Sequence, residues 1–165
     1  MNHFSNLAAF NVWANKRMCD FIIANLRSEQ IDKELVSSFP SVQKTIYHIR
    51  DAEATWLERL GGIPIKGTTG SFETELNIFI RNSKALLEFL SSRDEKYLNG
   101  IISYVHKNGV EYAEQASDIV THVINHSTFH RGQLIMMFRQ LGFTEGIPKT
   151  DFIAYAREIA AVKAP

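Results

Sequence analysis

Four stretches of this chain repeat their apolar residues every three or four positions, and that spacing predicts long helices rather than strands. The first runs from about Ser5 to Leu26, with Leu7, Phe10, Ala14, Met18, Phe21 and Ile22 recurring. Pro40 and Ser41 then punctuate the chain, Ser41 as an N-cap. The second helix carries Val42, Ile46, Ile49, Trp56, Leu57 and Leu60 and stops at Gly61-Gly62, with Pro64 just beyond. A third spans Glu73 to Leu90, and a fourth spans Ser117 to about Leu141, ended by Gly142. Between these last two, Ile101, Ile102, Tyr104, Val105, Val110 and Tyr112 favour extended structure around Asn108-Gly109, a strong hairpin-turn signal. A short final helix starts near Thr150 or Asp151 and carries Phe152, Ile153, Tyr155 and Ile159. The expected fold is therefore all-α: a four-helix bundle with a short C-terminal helix and a small β-hairpin near residues 101–113. The glycine-rich connection over residues 61–72 is long enough for a crossover rather than a tight antiparallel turn.

At 165 residues the chain reads as a single domain, residues 1–165, with enough core to fold without a disulfide or a metal. Its 18 Lys and Arg balance 18 Asp and Glu, which removes the electrostatic case for nucleic acid. The single cysteine, Cys19, excludes an internal disulfide and a cysteine-built metal cage. The opening MNHFSNLAAF does not read as a secretory signal, and no apolar run is long enough to span a membrane. The expectation is a soluble cytoplasmic domain that binds neither membrane nor nucleic acid.

The histidines carry the chemistry. Of six, His122, His126 and His130 stand four apart on the fourth helix. At about 100° per residue, Ile119, Val123, His126, His130, Leu134 and Met137 share one stripe, and His122 falls to its side. Two histidines thus occupy positions where leucine would serve the core. Residues at i and i+4 lie about 6 Å apart at Cβ, a spacing that lets two imidazoles converge on one metal ion. The plainer alternative is a pair of hydrogen-bonded core histidines, since two unpaired imidazoles are costly to bury. Periodicity leaves the third ligand open. His48 lies at the flank of the second helix's stripe, His106 sits beside the hairpin turn, and His3 is near a terminus expected to fray.

Two familiar metal patterns do not apply. Ser127 stands where a zinc-protease H-E-x-x-H motif needs glutamate. No glutamate has a histidine three residues later, as di-iron bundles require. A site of histidines alone is mononuclear with open coordination positions, which is the catalytic rather than the structural pattern.

Residues 122–133, HVINHSTFHRGQ, closely resemble the H-V-x-N-H-x-T-x-H-R-G-Q signature of the DinB-like (damage-inducible, YfiT-related) metalloprotein superfamily. Asn11-Val12-Trp13-Ala14-Asn15 is similar to its first-helix motif, and His48 with Trp56-Leu57-Glu58-Arg59 is similar to its second-helix motif. Asp151-Phe152-Ile153-Ala154-Tyr155-Ala156-Arg157 is similar to its C-terminal motif, so the resemblance covers nearly the whole chain. It implies an up-down-down-up bundle, often a homodimer, holding a divalent metal, commonly nickel or zinc, on three histidines. Carried over residue by residue, those ligands are His48, His126 and His130, whereas His122 matches a position that is not usually a ligand. Characterised relatives include transferases and isomerases that use bacillithiol, mycothiol or glutathione.

Other residues have both a chemical and a structural reading. Arg131 is a candidate to bind the carboxylate of a substrate or thiol, or else an inter-helix ion-pair residue. Gly132 costs a helix nearly 1 kcal/mol relative to Ala, which suggests close approach of another helix. Asn125 and Gln133 are candidate partners for imidazole N–H groups, or simply helix-surface polar residues. Trp13 and Trp56 read as core, and Cys19 as a small buried hydrophobe. The functional expectation is a metal-dependent thiol S-transferase acting on a small thiol and an electrophile, with a non-catalytic metal-binding or stress protein as the alternative. A DNA-repair module, the third reading, is disfavoured by the neutral charge. Metal affinity is expected to fall as pH drops through about 6.5, the ordinary imidazole pKa.

Overall fold

The computed structural model describes residues 2–68 and 70–163. Four long helices form the bundle: α1 (His3–Asn25), α3 (Val42–Arg59), α4 (Phe72–Ser91) and α6 (Ala116–Gln140). Shorter elements fill the connections: α2 (Ser28–Ile31), α5 (Glu95–Leu98), the strands β1 (Ile101–Val105) and β2 (Glu111–Gln115), and α7 (Phe152–Lys163). The expected bundle, hairpin and final helix are all present, with boundaries within a few residues of those read from periodicity. The one-turn helices α2 and α5 are too short to show a helical period.

Local chemistry sets the helix ends. Ser41 caps α3 by accepting from the Lys44 amide at 3.1 Å, and Ser71 caps α4 by accepting from the Thr74 amide at 3.2 Å. Asn2 caps α1 by accepting from the Ser5 amide at 2.7 Å, and its side-chain amide donates to the Arg93 carbonyl at 3.2 Å. His3, expected near a fraying end, therefore lies in a first turn tied to the end of α4.

Each long helix packs on two others: α1 on α4 and α6, and α3 on α4 and α6. Arg50 and Glu53 of α3 bond Glu75 and Ser83 of α4 in the same order along both helices, so α3 and α4 run parallel. Parallel neighbours need a long return connection. Residues 60–71 supply it by running back along α4, with Ile65 bonded to Asn82 and Thr68 to Glu75. Gly67 is pressed onto the Arg50 guanidinium, where an added Cβ would lie 2.7 Å from Cζ. This is the crossover of the up-down-down-up arrangement.

The core divides into two apolar halves. One gathers Phe10, Ala14, Leu57, Leu86, Leu90 and Val123, and the other Met18, Ile22, Ile49, Phe79, Leu134 and Phe138. Between them lies a buried polar layer of Asn11, Asn15, Glu53, Ser83, Ser127 and Arg131. The Glu53 carboxylate accepts from Asn11 at 2.6 Å, Asn15 at 2.9 Å, Ser127 at 2.9 Å and Ser83 at 2.6 Å. Four donors from three helices offset the cost of burying that group, and they are satisfied together only in one register of the bundle.

Candidate metal centre

His48 comes from α3, and His126 and His130 come from α6. Their ring nitrogens all lie within 4.8 Å of one another, the one group of this kind among the described residues. His48 Nε2 and His126 Nε2 are 2.9 Å apart. Two nitrogens bound to one zinc at about 2.0–2.1 Å each stand about 3.3 Å apart in a tetrahedron, so a small outward shift accommodates an ion. Three imidazole nitrogen donors without a carboxylate suit a borderline transition metal. The residues present fit a divalent ion and could hold one; nothing in the geometry selects which.

Neighbouring side chains orient the rings. His130 Nδ1 lies 2.7 Å from Gln133 Oε1, so Nδ1 carries the proton and Nε2 keeps its lone pair for the cluster. Gln133 in turn donates to Ser38 Oγ at 3.0 Å. Phe39 stacks on His48 at 3.9 Å between ring centres and meets the edge of His130 at 5.6 Å. This aromatic lid shields one side of the cluster and leaves the other side open.

Electrostatics keep His48 and His126 deprotonated. Burial, reinforced by His130, His48 and His122, pushes the His126 pKa down to about 4. Burial and the neighbouring His130 also push His48 down, against a weaker upward pull from Asp51. Both are neutral at pH 7, the form that binds metal. The sequence-based expectation of proton competition near pH 6.5 is therefore shifted to lower pH at these two residues.

The open side faces a cleft of about 480 Å³. One wall is α3, through His48, Ala52, Trp56 and Arg59, and the other is the β-ribbon, through Tyr104, Lys107 and Tyr112. The cleft is of the size that takes a small-molecule ligand.

Several residues sit elsewhere than expected. Arg131 was a candidate for gripping a substrate carboxylate, but it is 1% exposed in the polar layer. It donates to Asn11 at 2.7 Å, Asn15 at 2.8 Å and Thr128 at 2.7 Å. Burial lowers its pKa to about 10 while Glu53 pulls it back, so it remains a cation at neutral pH that no ligand reaches. Its structural reading as an inter-helix residue is the correct one, mediated by two asparagines rather than by direct ion pairing. Gly132 is not a point of helix contact within the chain, since an added Cβ would meet nothing within 4 Å. Trp56 is cleft wall rather than core. Gln133 does hold an imidazole N–H, whereas Asn125 is exposed. His122, with its ring 5.7 Å from that of His126, lies outside the cluster, as do His3 and His106. Cys19 is buried, and burial pushes its thiol pKa far up, so it supplies no thiolate.

Glu53 was not among the singled-out residues. A signal was present: it stands four after Ile49 and four before Leu57, on the core stripe of its helix. Arg59, a cation of the cleft, carries no signal in the sequence beyond its place in the second-helix motif.

No described helix is long and apolar enough to cross a membrane. Residues 1–160 match the model of the DinB family. The chain is 27% identical over 161 residues to Protein DinB of Bacillus subtilis, covering 90% of this chain and 91% of that one. It is 22% identical over 130 residues to the uncharacterized protein YizA of the same organism, covering 70% and 74%. The fold matches the crystal structure of a DinB-like protein from Bacillus cereus with a TM-score of 0.66 at 23% identity, over 86% of this chain and 91% of that one. With a bundle of matching topology and a family match that spans both helices of the histidine cluster, the chain belongs to the DinB family.

Proposed function

We propose that the protein is a metal-dependent thiol S-transferase, using a low-molecular-weight thiol and one divalent ion, nickel or zinc, on His48, His126 and His130. The observation that carries this reading is the convergence of three imidazoles at the head of a ligand-sized cleft, with no carboxylate among them. When bound there, such an ion lowers the pKa of a coordinated thiol, about 8.5 when free, and holds it as thiolate at neutral pH.

The chain's own residues prepare and confine that chemistry. The depressed pKa values of His48 and His126 keep their lone pairs free of protons. Gln133 fixes the His130 tautomer, and Phe39 closes the face away from the cleft, so a thiol and its electrophile approach only past Trp56 and Tyr104. Glu53, the nearest fully buried carboxylate on α3, is occupied by four donors and is not a general base. Transfer forms a carbon–sulfur bond and expels the electrophile's leaving group with its electron pair. The thiol proton goes to solvent.

The test is conjugation of monochlorobimane with bacillithiol, mycothiol, glutathione and cysteine, with and without added nickel or zinc. Metal-dependent turnover with at least one thiol, lost in His130→Ala and kept in Cys19→Ser, is the expected result. Absence of turnover with every thiol and metal favours the non-catalytic metal-binding reading. We also propose a homodimer, supported by the family and by an exposed apolar strip of Val36, Phe129 and Met136. Light scattering that shows a monomer at micromolar concentration overturns it.

A further inference from the structure

The cleft beside the histidines holds a cation with nothing to bind. His48, Ala52, Trp56 and Arg59 follow one another at helical spacing along a single face of α3 and all line the cleft. The Arg59 guanidinium lies 4.3 Å from the centre of the Trp56 ring and 4.0 Å from that of Tyr104 on β1. The two rings stand nearly perpendicular, at 85° with centres 5.4 Å apart, so the cation sits in the corner where helix and ribbon meet. Among the described residues Arg59 forms no ion pair. The interior arginines differ: Arg50 is taken by Glu75 and Asp51, and Arg131 by Asn11, Asn15 and Thr128.

The other charged groups at the cleft do not neutralise it. Asp51 is held by Arg50 at 2.8 Å, and Glu114, the other carboxylate lining the cleft, makes no ion pair with Arg59 although one of its oxygens is buried without a partner. Lys107 adds a second cation on the ribbon. Cation–π contacts to both rings hold the guanidinium in that corner. A fork fixed before the ligand arrives loses little entropy on binding, and a carboxylate matches it in a planar, bidentate way.

Geometry also sets the length of the ligand. Three turns of α3 separate His48 from Arg59, about 16 Å of helix rise. His48 and Arg59 both lean toward the N-terminus, so only the longer arginine side chain shortens this span, leaving roughly 10–15 Å between the guanidinium and the imidazoles. We propose that Arg59 is the carboxylate-binding residue of this cleft, and that the cleft selects thiols whose acidic group lies roughly 10–15 Å from the sulfur. The sulfur end of this assignment rests on the metal reading above; the carboxylate end does not.

The test uses simple probes. Zinc-loaded protein is titrated with 8-mercaptooctanoate, with its neutral carboxamide 8-mercaptooctanamide, and with the shorter 3-mercaptopropionate. Binding is read by Trp56 fluorescence in a Trp13→Phe background and by calorimetry. The long acid should bind about tenfold or more tighter than either of the other two, the usual gain of a charge-assisted bond. Arg59→Gln should abolish the preference for acid over amide while leaving zinc stoichiometry and amide affinity unchanged. Arg59→Lys, which keeps the charge but loses the fork, should retain part of it. Equal binding of long acid and amide by the parent protein, or a preference that survives Arg59→Gln, overturns the assignment. Octanoate and octanamide, which lack sulfur, are titrated against metal-free protein in parallel. A preference for octanoate there, in a protein that takes up no zinc, sinks the metal reading and leaves Arg59 standing. Full zinc uptake with no acid preference does the reverse.

Discussion

His48 Nε2 and His126 Nε2 face each other at 2.9 Å across the seam between α3 and α6, two helices that the sequence separates by a crossover loop and a β-ribbon. Without a metal, one ring donates to the other. With a metal, both turn their lone pairs to the same point. The first prediction concerns that exchange. Wild-type protein should bind one zinc or nickel per chain and gain thermal stability with metal concentration, by about 2.7 kcal/mol at a hundredfold excess over Kd. The double variant His126→Ala, His130→Ala should bind none and show no metal-dependent rise in melting temperature. Full metal content in that variant would remove the three-histidine assignment.

The pH dependence follows from the depressed imidazoles. His126 titrates at about 4 in the folded chain against about 6.5 unfolded, so the unfolded state binds more protons between those values. Metal-free protein should therefore keep this contribution in full above pH 6.5 and lose it progressively as pH falls toward 4. His48 acts in the same direction. Urea midpoints measured from pH 8 to 4 should decline on the acid side, and His126→Asn should make that decline shallower.

Breaking the polar layer should be expensive. Arg131→Met strands Asn11 and Asn15 oxygens and leaves Glu53 without its compensating charge, a loss of about 3 kcal/mol by analogy with other buried charges that lose a partner. Adding Glu53→Gln to that variant should cost less than the sum of the single changes, because the two act through shared asparagines. Equilibrium denaturation of the four proteins measures the coupling, and additive effects would show that the layer is not one unit.

Gly132 offers the opposite sign. It lies in the interior of α6 with open space where a Cβ would go. Gly132→Ala should stabilise the dilute protein by about 0.5–1 kcal/mol through lower unfolded-state entropy and better helix propensity. A lower urea midpoint would mean that another copy already packs on that bare stretch of helix.

Much of this molecule is legible in the sequence, and the gaps have physical causes. Apolar periodicity fixed the registers of α1, α3, α4 and α6, and Asn108-Gly109 marked the turn of the ribbon, where Gly109 adopts φ +82°. The same periodicity put His126 and His130 on one stripe, but it could not tell His48 from His106, because the answer depends on which helix packs beside α6. The family resemblance named His48, and the structure brings it to the other two. The polar layer escaped for a different reason. Ser127 and Arg131 are one residue on from His126 and His130, a turn of about 100° around α6, and a pattern reading places such polar residues in solvent. Their partners Asn11, Asn15 and Glu53 lie on other helices, and only the assembled bundle shows that each satisfies the next.

The ribbon opposite α3 is built on different terms from the helices. Its two strands pair only with each other, and Ile101, Val105 and Tyr112 remain exposed. The imidazoles therefore stand on a wall locked by a buried polar layer, while the facing wall is a two-stranded ribbon that meets the core through Ile102. Substitutions at its cleft-facing residues, Tyr104, Lys107, Tyr112 and Glu114, would resize or recharge the cleft.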